Sequence, residues 1–123
     1  MPARSQPPFA AIDTYCLAKP GSLVDYPFDE TTRVYKVLGK MFALISESDD
    51  PLRLNLKCDP ADAEALRAEH PGILPGYHMN KQHWNTLVLD GSLPDALVYE
   101  LIDHSYGLVV SRLTRAQKKE LGL

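Results

Sequence analysis

Residues 77–91 read YHMNKQHWNTLVLDG, a polar segment that runs into an apolar alternation and then a turn. Successive side chains of an extended chain point to opposite faces, so Leu87 lies on one face of the predicted strand and Trp84 on the other. Asp90 and Gly91 are typical turn residues. A polar loop therefore leads into a strand, and the strand leads through a turn into a helix.

Residues 52–58 show the most regular alternation in the chain, with leucines separated by Arg53, Asn55 and Lys57. This pattern predicts a strand whose one face is buried and whose other face is solvated. Further strands are predicted at 32–38, 40–46, 73–79 and 84–90. The first two of these are joined by a tight hairpin at Gly39.

The main helix is predicted over residues 93–113, with Ser92 as its N-cap. Gly107 interrupts this helix, and we interpret it as a site of close packing or a local break. Thr114 and Gln117 form a capping box for a last, basic helix. Two more helices are predicted, at 8–18 and 59–69.

Residues 22–31 have no period and contain a proline, so this segment is predicted to be a loop packed by Tyr26 and Phe28. The resulting element order is α-β-β-β-α-β-β-α-α. Hairpin connections favour an α+β fold, an antiparallel β-sheet with helices packed on one face. Residues 1–7 are expected to be a flexible lead and residues 8–123 a single domain.

The chain has a net charge of −3 and a pI of about 5.7, whereas dedicated nucleic-acid binders usually carry a basic surplus. A local basic face can nevertheless act within an acidic protein. No apolar run approaches the ~20 residues that span a bilayer, and no signal peptide is recognisable. A cytoplasmic protein is expected, with Cys16 and Cys58 as reduced, buried thiols.

The solvated sheet face is the candidate site. Cations that flank an exposed aromatic ring could hold the phosphates and stack a base of a single strand or a distorted duplex. The candidate nucleic-acid-binding residues are Lys36, Arg53, Asn55, Lys57, Lys81, His83 and Trp84. The alternative is an ordinary solvated face, on which Trp84 folds over lysine stems or lies beneath the 77–83 loop.

Catalytic and metal sites find little support in the sequence. His78 and His83 lack neighbouring cysteines or carboxylates that could complete a metal site. His104 and Ser105 are adjacent on a helix, where consecutive side chains diverge by about 100° and cannot form a triad. No glycine-rich phosphate loop is present. We expect no catalytic residues, no metal and no cofactor, and therefore a protein that is not an enzyme.

Several of these motifs occur together in one known family. The run HMNKQHWNTLVLDGSLPD at 78–95, the DHSY sequence at 103–106, and segments at 15–21 and 54–58 resemble the MmcQ/YjbR family of small bacterial domains. The resemblance covers residues 12–121. It implies a frataxin-like or double-wing α+β fold and DNA as a partner. Iron binding of the frataxin kind is not implied, because the first helix carries only Asp13.

A second function stays open beside DNA binding. The domain could instead be a protein- or small-ligand-interaction module that uses the groove between the 78–84 loop and the main helix. As a protein-interaction module, it would present Tyr77, Trp84 and Tyr106 to a partner protein.

Overall fold

The computed structural model describes residues 7–76 and 80–123. Within these ranges the chain forms four helices and six strands: α1 (Phe9–Leu17), β1 (Ser22–Asp25), β2 (Thr32–Val37), β3 (Lys40–Ser46), β4 (Leu52–Lys57), α2 (Pro60–Glu69), β5 (Ile73–Pro75), β6 (Trp84–Leu89), α3 (Asp95–Ser111) and α4 (Arg115–Glu120). The expected order of elements recurs, with β1 added where a loop was predicted. Most of the predicted lead, and residues 77–79 of one predicted strand, lie outside the described residues.

The strands form one antiparallel sheet in the order β1-β2-β3-β4-β6-β5. Leu54 pairs with Ile45 on one side and with Leu87 on the other, and all three are buried. The helices cover this face. Asp13 of α1 accepts a hydrogen bond from the hydroxyl of Tyr35 at 2.6 Å. The predicted α+β class, with helices packed on one face of an antiparallel sheet, is confirmed.

Ser105 attaches α3 to the middle of the sheet. Its buried hydroxyl accepts a hydrogen bond from the Lys57 amide at 2.9 Å and donates one to the Phe42 carbonyl at 2.5 Å. Phe42 is the extra residue of a bulge in β3, so its carbonyl and the β4 amide both need a partner from outside the ladder. One side chain therefore satisfies backbone groups of two strands.

The helix-start predictions have different outcomes. Ser92 is not the N-cap of α3, because that position is held by Pro94, which makes no side-chain cap. The Ser92 amide instead donates to the carboxylate of Asp90, closing the turn after β6. The capping box formed by Thr114 and Gln117 is confirmed, with both reciprocal hydrogen bonds present.

Two glycines have different backbone conformations, Gly39 in the β2–β3 hairpin turn and Gly107 in α3. Leu38 and Gly39 form the hairpin turn with φ angles of 48° and 81°, the positive values that a two-residue turn of this kind needs. Gly107 was predicted to be a packing site or a break, and that prediction is wrong. α3 continues through Gly107, which is exposed, and apart from the backbone of its own helix a Cβ there would meet no described atom within 4 Å.

Alanine is expected to have opposite effects at these two glycines. Gly39→Ala should lower the free energy of unfolding by about 1–2 kcal/mol, because an L-residue is strained at positive φ. Gly107→Ala should raise it by about 1 kcal/mol, because alanine is the better helix former. Urea denaturation measures both values, and effects of the same sign would contradict the assignment of turn and helix.

Both cysteines are free and buried, as predicted. Burial, with smaller contributions from Asp62 and Asp59, raises the pKa of Cys58 to about 11. Burial also raises the pKa of Cys16 to about 12. Both thiols are therefore protonated at neutral pH, and they act as small apolar groups of the core.

Candidate functional site

Among the residues that the structure describes, no helix covers one face of the sheet, and we refer to this face as the open face. Alternation along β4 places Arg53, Asn55 and Lys57 there, since Leu54 and Leu56 point into the core. Lys57 pairs with Trp84, and Asn55 pairs with Thr86. The predicted arrangement, with cations and the single tryptophan on the face opposite the buried leucines, is therefore present in the structure.

Trp84, however, is not the exposed ring that the nucleic-acid hypothesis requires. Its side chain is only 7% exposed and packs with Val34, Leu44 and Met41 in a second apolar cluster. The ring forms this cluster because its neighbours on β2 and β3 are also apolar on the open face. Trp84 thus stabilises the open face and offers no surface on which a base could stack.

Cations collect at the end of the sheet where β3 and β6 begin and β4 ends. We define the basic end by Lys40, Lys57, Lys81 and Arg112. Burial, together with the nearby positive charges of Arg112 and Lys40, lowers the pKa of Lys57. In the described parts of the chain, none of the four side chains takes part in an ion pair or a hydrogen bond.

The turn that carries Lys81 is held firmly at the basic end. Arg67 of α2 donates to the Lys81 carbonyl and, at 2.7 Å, to the side-chain oxygen of the buried Asn85. His83 is half-buried, and its carbonyl accepts a hydrogen bond from the Cys58 amide at 2.7 Å. His83 thus joins the turn to the end of β4 through its backbone.

Carboxylates collect at the opposite end of the sheet, which we call the acidic end. The antiparallel register brings three segments together there, the loop after β1, the β3–β4 turn and the turn after β6. Their acidic residues are Asp25, Asp29, Glu30, Glu47, Asp49, Asp50 and Asp90. The described part of the chain is therefore more acidic at this end than at the basic end, where Asp59 and Asp62 lie near Cys58 but pair with none of the four cations.

Two of the predicted cations are affected by this polarity. Lys36 forms an ion pair with Asp25 at 3.1 Å, and this hydrogen bond lowers the pKa of the Asp25 carboxyl. Lys36 is therefore already neutralised by a neighbour. Arg53 has no such partner among the described residues, but it lies at the acidic end. The predicted set of cations is thus divided, and Lys57 and Lys81 are the two that belong to the basic end.

Comparison with known proteins agrees with this fold. The YjbR family model matches residues 17–108. The chain belongs to the YjbR family. Escherichia coli K12 YjbR is 40% identical over 107 residues, which cover 87% of this chain and 91% of that protein. YbdF of Escherichia coli O157:H7 is 38% identical over 96 residues, 78% of this chain and 79% of the relative. Both relatives are described as uncharacterized proteins. Sequence similarity therefore establishes the family but does not identify a ligand.

Solved structures support the same membership. A Deinococcus radiodurans protein of domain family DUF419 shares 48% identity with a TM-score of 0.88, over 94% of this chain and 88% of that one. A Pseudomonas syringae protein shares 28% identity with a TM-score of 0.70, over 81% of this chain and 97% of that one. The resemblance to YjbR proteins inferred from the sequence motifs is confirmed.

The open face also contains a groove of about 610 Å³, next to the acidic end. Its floor includes Leu44, Asn55 and Thr86, and Arg53 stands at its side. Phe28 lines one wall and is 62% exposed, although the sequence predicted that it would pack its loop. We call this cavity the open-face groove.

The groove proposed beside the main helix has different walls from those expected. A cavity of about 330 Å³ runs along α3, but its second wall is α2, and the predicted loop does not line it within the described residues. His104 lines this cavity, with its Nε2 atom 3.8 Å from Asp62. Over residues 7–76 and 80–123, no three histidine, cysteine or acidic side chains are grouped to hold a metal.

Reasoning from the sequence missed Lys40 and Arg112 of the basic end. The hairpin at Gly39 was a usable signal for Lys40, since antiparallel pairing brings the start of β3 to the end of β4. Arg112 follows the last turn of α3, and only the packing of α3 across the sheet brings it near Lys57. In the described part of the chain, no helix is long and apolar enough to span a membrane.

Proposed function

We propose that this member of the YjbR family is a non-enzymatic, cytoplasmic nucleic-acid-binding protein that contacts phosphates through its basic end. The observation that supports the proposal is the group Lys40, Lys57, Lys81 and Arg112, none of which forms an ion pair with a carboxylate among the described residues. A phosphate placed among these cations would relieve their mutual repulsion. A polyanion would satisfy several of them at once.

The net charge of −3 is compatible with this proposal because the charge is polarised. A cluster of like charges produces a local field that attracts a polyanion even on a protein of opposite net charge. The acidic end would repel the same polyanion. The polarity would therefore orient the protein, with its basic end toward the nucleic acid.

The proposed binding is independent of base sequence. Trp84 is buried, so the stacking contact expected from the sequence is not part of the mode of binding. Contacts from lysine and arginine to phosphate fix position without reading bases. Affinity should then depend strongly on salt, because each neutralised phosphate releases counterions.

The test is fluorescence anisotropy with a labelled single-stranded oligonucleotide and its duplex, at several salt concentrations. We expect binding at low salt and a linear fall of log affinity with log salt. The double variant Lys40→Gln, Lys57→Gln should weaken binding and reduce the magnitude of the slope by about 0.7 per lost contact for a single strand.

A matched control removes the same charge from two cations outside the basic-end group. Lys36→Gln, Arg53→Gln also takes the net charge from −3 to −5, but Lys36 is already paired with Asp25 and Arg53 lies at the acidic end. Its affinity and salt slope should remain those of the unmodified protein. The proposal fails if neither nucleic acid binds at low salt, or if both double variants lose affinity equally.

A further inference from the structure

Two side chains of opposite charge line the open-face groove and do not form an ion pair with each other. Arg53 rises from β4 and Asp49 from the β3–β4 turn, and both line the same cavity. In the part of the chain that the structure describes, neither side chain takes part in an ion pair or a hydrogen bond. The groove therefore presents a cation and an anion that a ligand could pair separately.

Some of the other polar groups of the groove are already hydrogen-bonded within the protein, whereas others could bind a ligand. The carboxylate of Asp29 accepts hydrogen bonds from the amides and hydroxyls of Thr31 and Thr32, so it is used by its own loop. The side-chain oxygen of Asn55 accepts from the Thr86 hydroxyl at 2.6 Å. This leaves the Asn55 amide group as a donor, about 7 Å along β4 from Arg53.

The apolar part of the groove lies among these polar groups. Leu44 and Ile45 contribute to its lining, and the exposed ring of Phe28 forms a wall. At about 610 Å³ the cavity falls within the range of small-molecule sites. An apolar body could bury itself here while its charged ends reach Arg53 and Asp49.

From this arrangement we infer that the open-face groove binds a small zwitterion with an apolar body, of the size of a dipeptide. The carboxylate of the ligand pairs with Arg53 and accepts from the Asn55 amide. The ammonium group pairs with Asp49, and an apolar side chain packs against Phe28. A polyanion is disfavoured at this position, because the carboxylates of Asp29 and Asp49 both line the groove.

The experiment is isothermal titration calorimetry of the 123-residue protein with the dipeptide Leu-Phe. Two derivatives of the dipeptide are titrated as well, one N-acetylated and one C-amidated, and each of them lacks one charge. We expect Leu-Phe to bind, and N-acetylation and C-amidation each to weaken binding by about tenfold, the loss of one charge-assisted hydrogen bond. Phe28→Ala should also weaken binding of all three ligands.

Variants link each charge of the ligand to its partner in the groove. Arg53→Gln should weaken Leu-Phe but leave the affinity of the C-amidated peptide unchanged. Asp49→Asn should weaken Leu-Phe but leave the affinity of the N-acetylated peptide unchanged. Lys57→Gln, at the basic end, is the control and should not affect any of the three, which keeps this test independent of nucleic-acid binding.

The inference is overturned if Leu-Phe does not bind, or if the three peptides bind equally well. It is also overturned if Lys57→Gln weakens dipeptide binding as much as Arg53→Gln does. Thermal unfolding of each variant is measured alongside. Arg53 is exposed and Asp49 lies in a surface turn, so both variants should fold normally.

Discussion

Replacing Trp84 with alanine is expected to lower the free energy of unfolding by about 3–5 kcal/mol, the usual cost of deleting a large buried aromatic side chain. The ring is 7% exposed and packs against Val34 and Leu44. Its removal would leave a cavity on the open face, in a cluster too small to refill it. Urea denaturation followed by circular dichroism measures the loss without depending on tryptophan fluorescence.

Phe28→Ala is the matched control for this prediction. Phe28 is also an aromatic residue of the open-face side, but it is 62% exposed. Its loss should change the free energy of unfolding by less than about 0.5 kcal/mol. A stability loss at Phe28 as large as that at Trp84 would contradict the assignment of one ring as structural and the other as accessible.

Ser105→Ala is expected to cost about 2–4 kcal/mol of unfolding free energy. The hydroxyl bridges the Lys57 amide and the Phe42 carbonyl in a fully buried position. Each buried backbone group left without a partner costs about 1–3 kcal/mol, and alanine would leave both without one. The same urea experiment measures this change.

Ser111→Ala provides the control on the same helix. Ser111 is exposed, and its hydroxyl donates only to the Leu108 carbonyl one turn earlier. Its replacement should change stability by less than about 0.5 kcal/mol. Equal losses for the two serines would mean that Ser105 does not hold β3 and β4 together.

The fold could be predicted where one face of an element is uniformly buried. Leucines at every second position of residues 52–56 indicate a half-buried strand whatever its partners are. The four-residue strand Ser22–Asp25 was missed because it is an edge strand with a burial pattern too short to show a period. This segment is a strand because it pairs with β2, and a contact between distant segments cannot be read from the local sequence pattern.

The candidate site was predictable only in part. The alternation of side chains correctly placed Trp84 on the same face of the sheet as Lys57. Whether the Trp84 ring is exposed or buried, however, depends on Val34 and Leu44, which come from other strands. Likewise the ion pair of Lys36 with Asp25 depends on β1, the strand that was missed. The local sequence pattern thus determines the face on which a side chain lies. Whether that side chain is buried, or its charge paired, depends on residues from other strands.

The uneven distribution of charge gives the two ends of the sheet different proposed ligands. The basic end has cations without carboxylate partners in the described residues, and it suits phosphates. The open-face groove at the acidic end has one cation and one available carboxylate, and it suits a small zwitterion. Because Lys57 is fixed through Ser105 and Arg53 stands on the same strand, both sites rest on one rigid element, β4.

The most direct measurement is an NMR titration of isotope-labelled protein with a single-stranded oligonucleotide at low salt, followed through the backbone amide shifts. The proposal predicts salt-sensitive shifts that centre on Lys40, Lys57, Lys81 and Arg112 and leave the amides around Phe28 and Asp49 unmoved. An unchanged spectrum, or shifts that centre on the open-face groove or on the α2–α3 face, would contradict it.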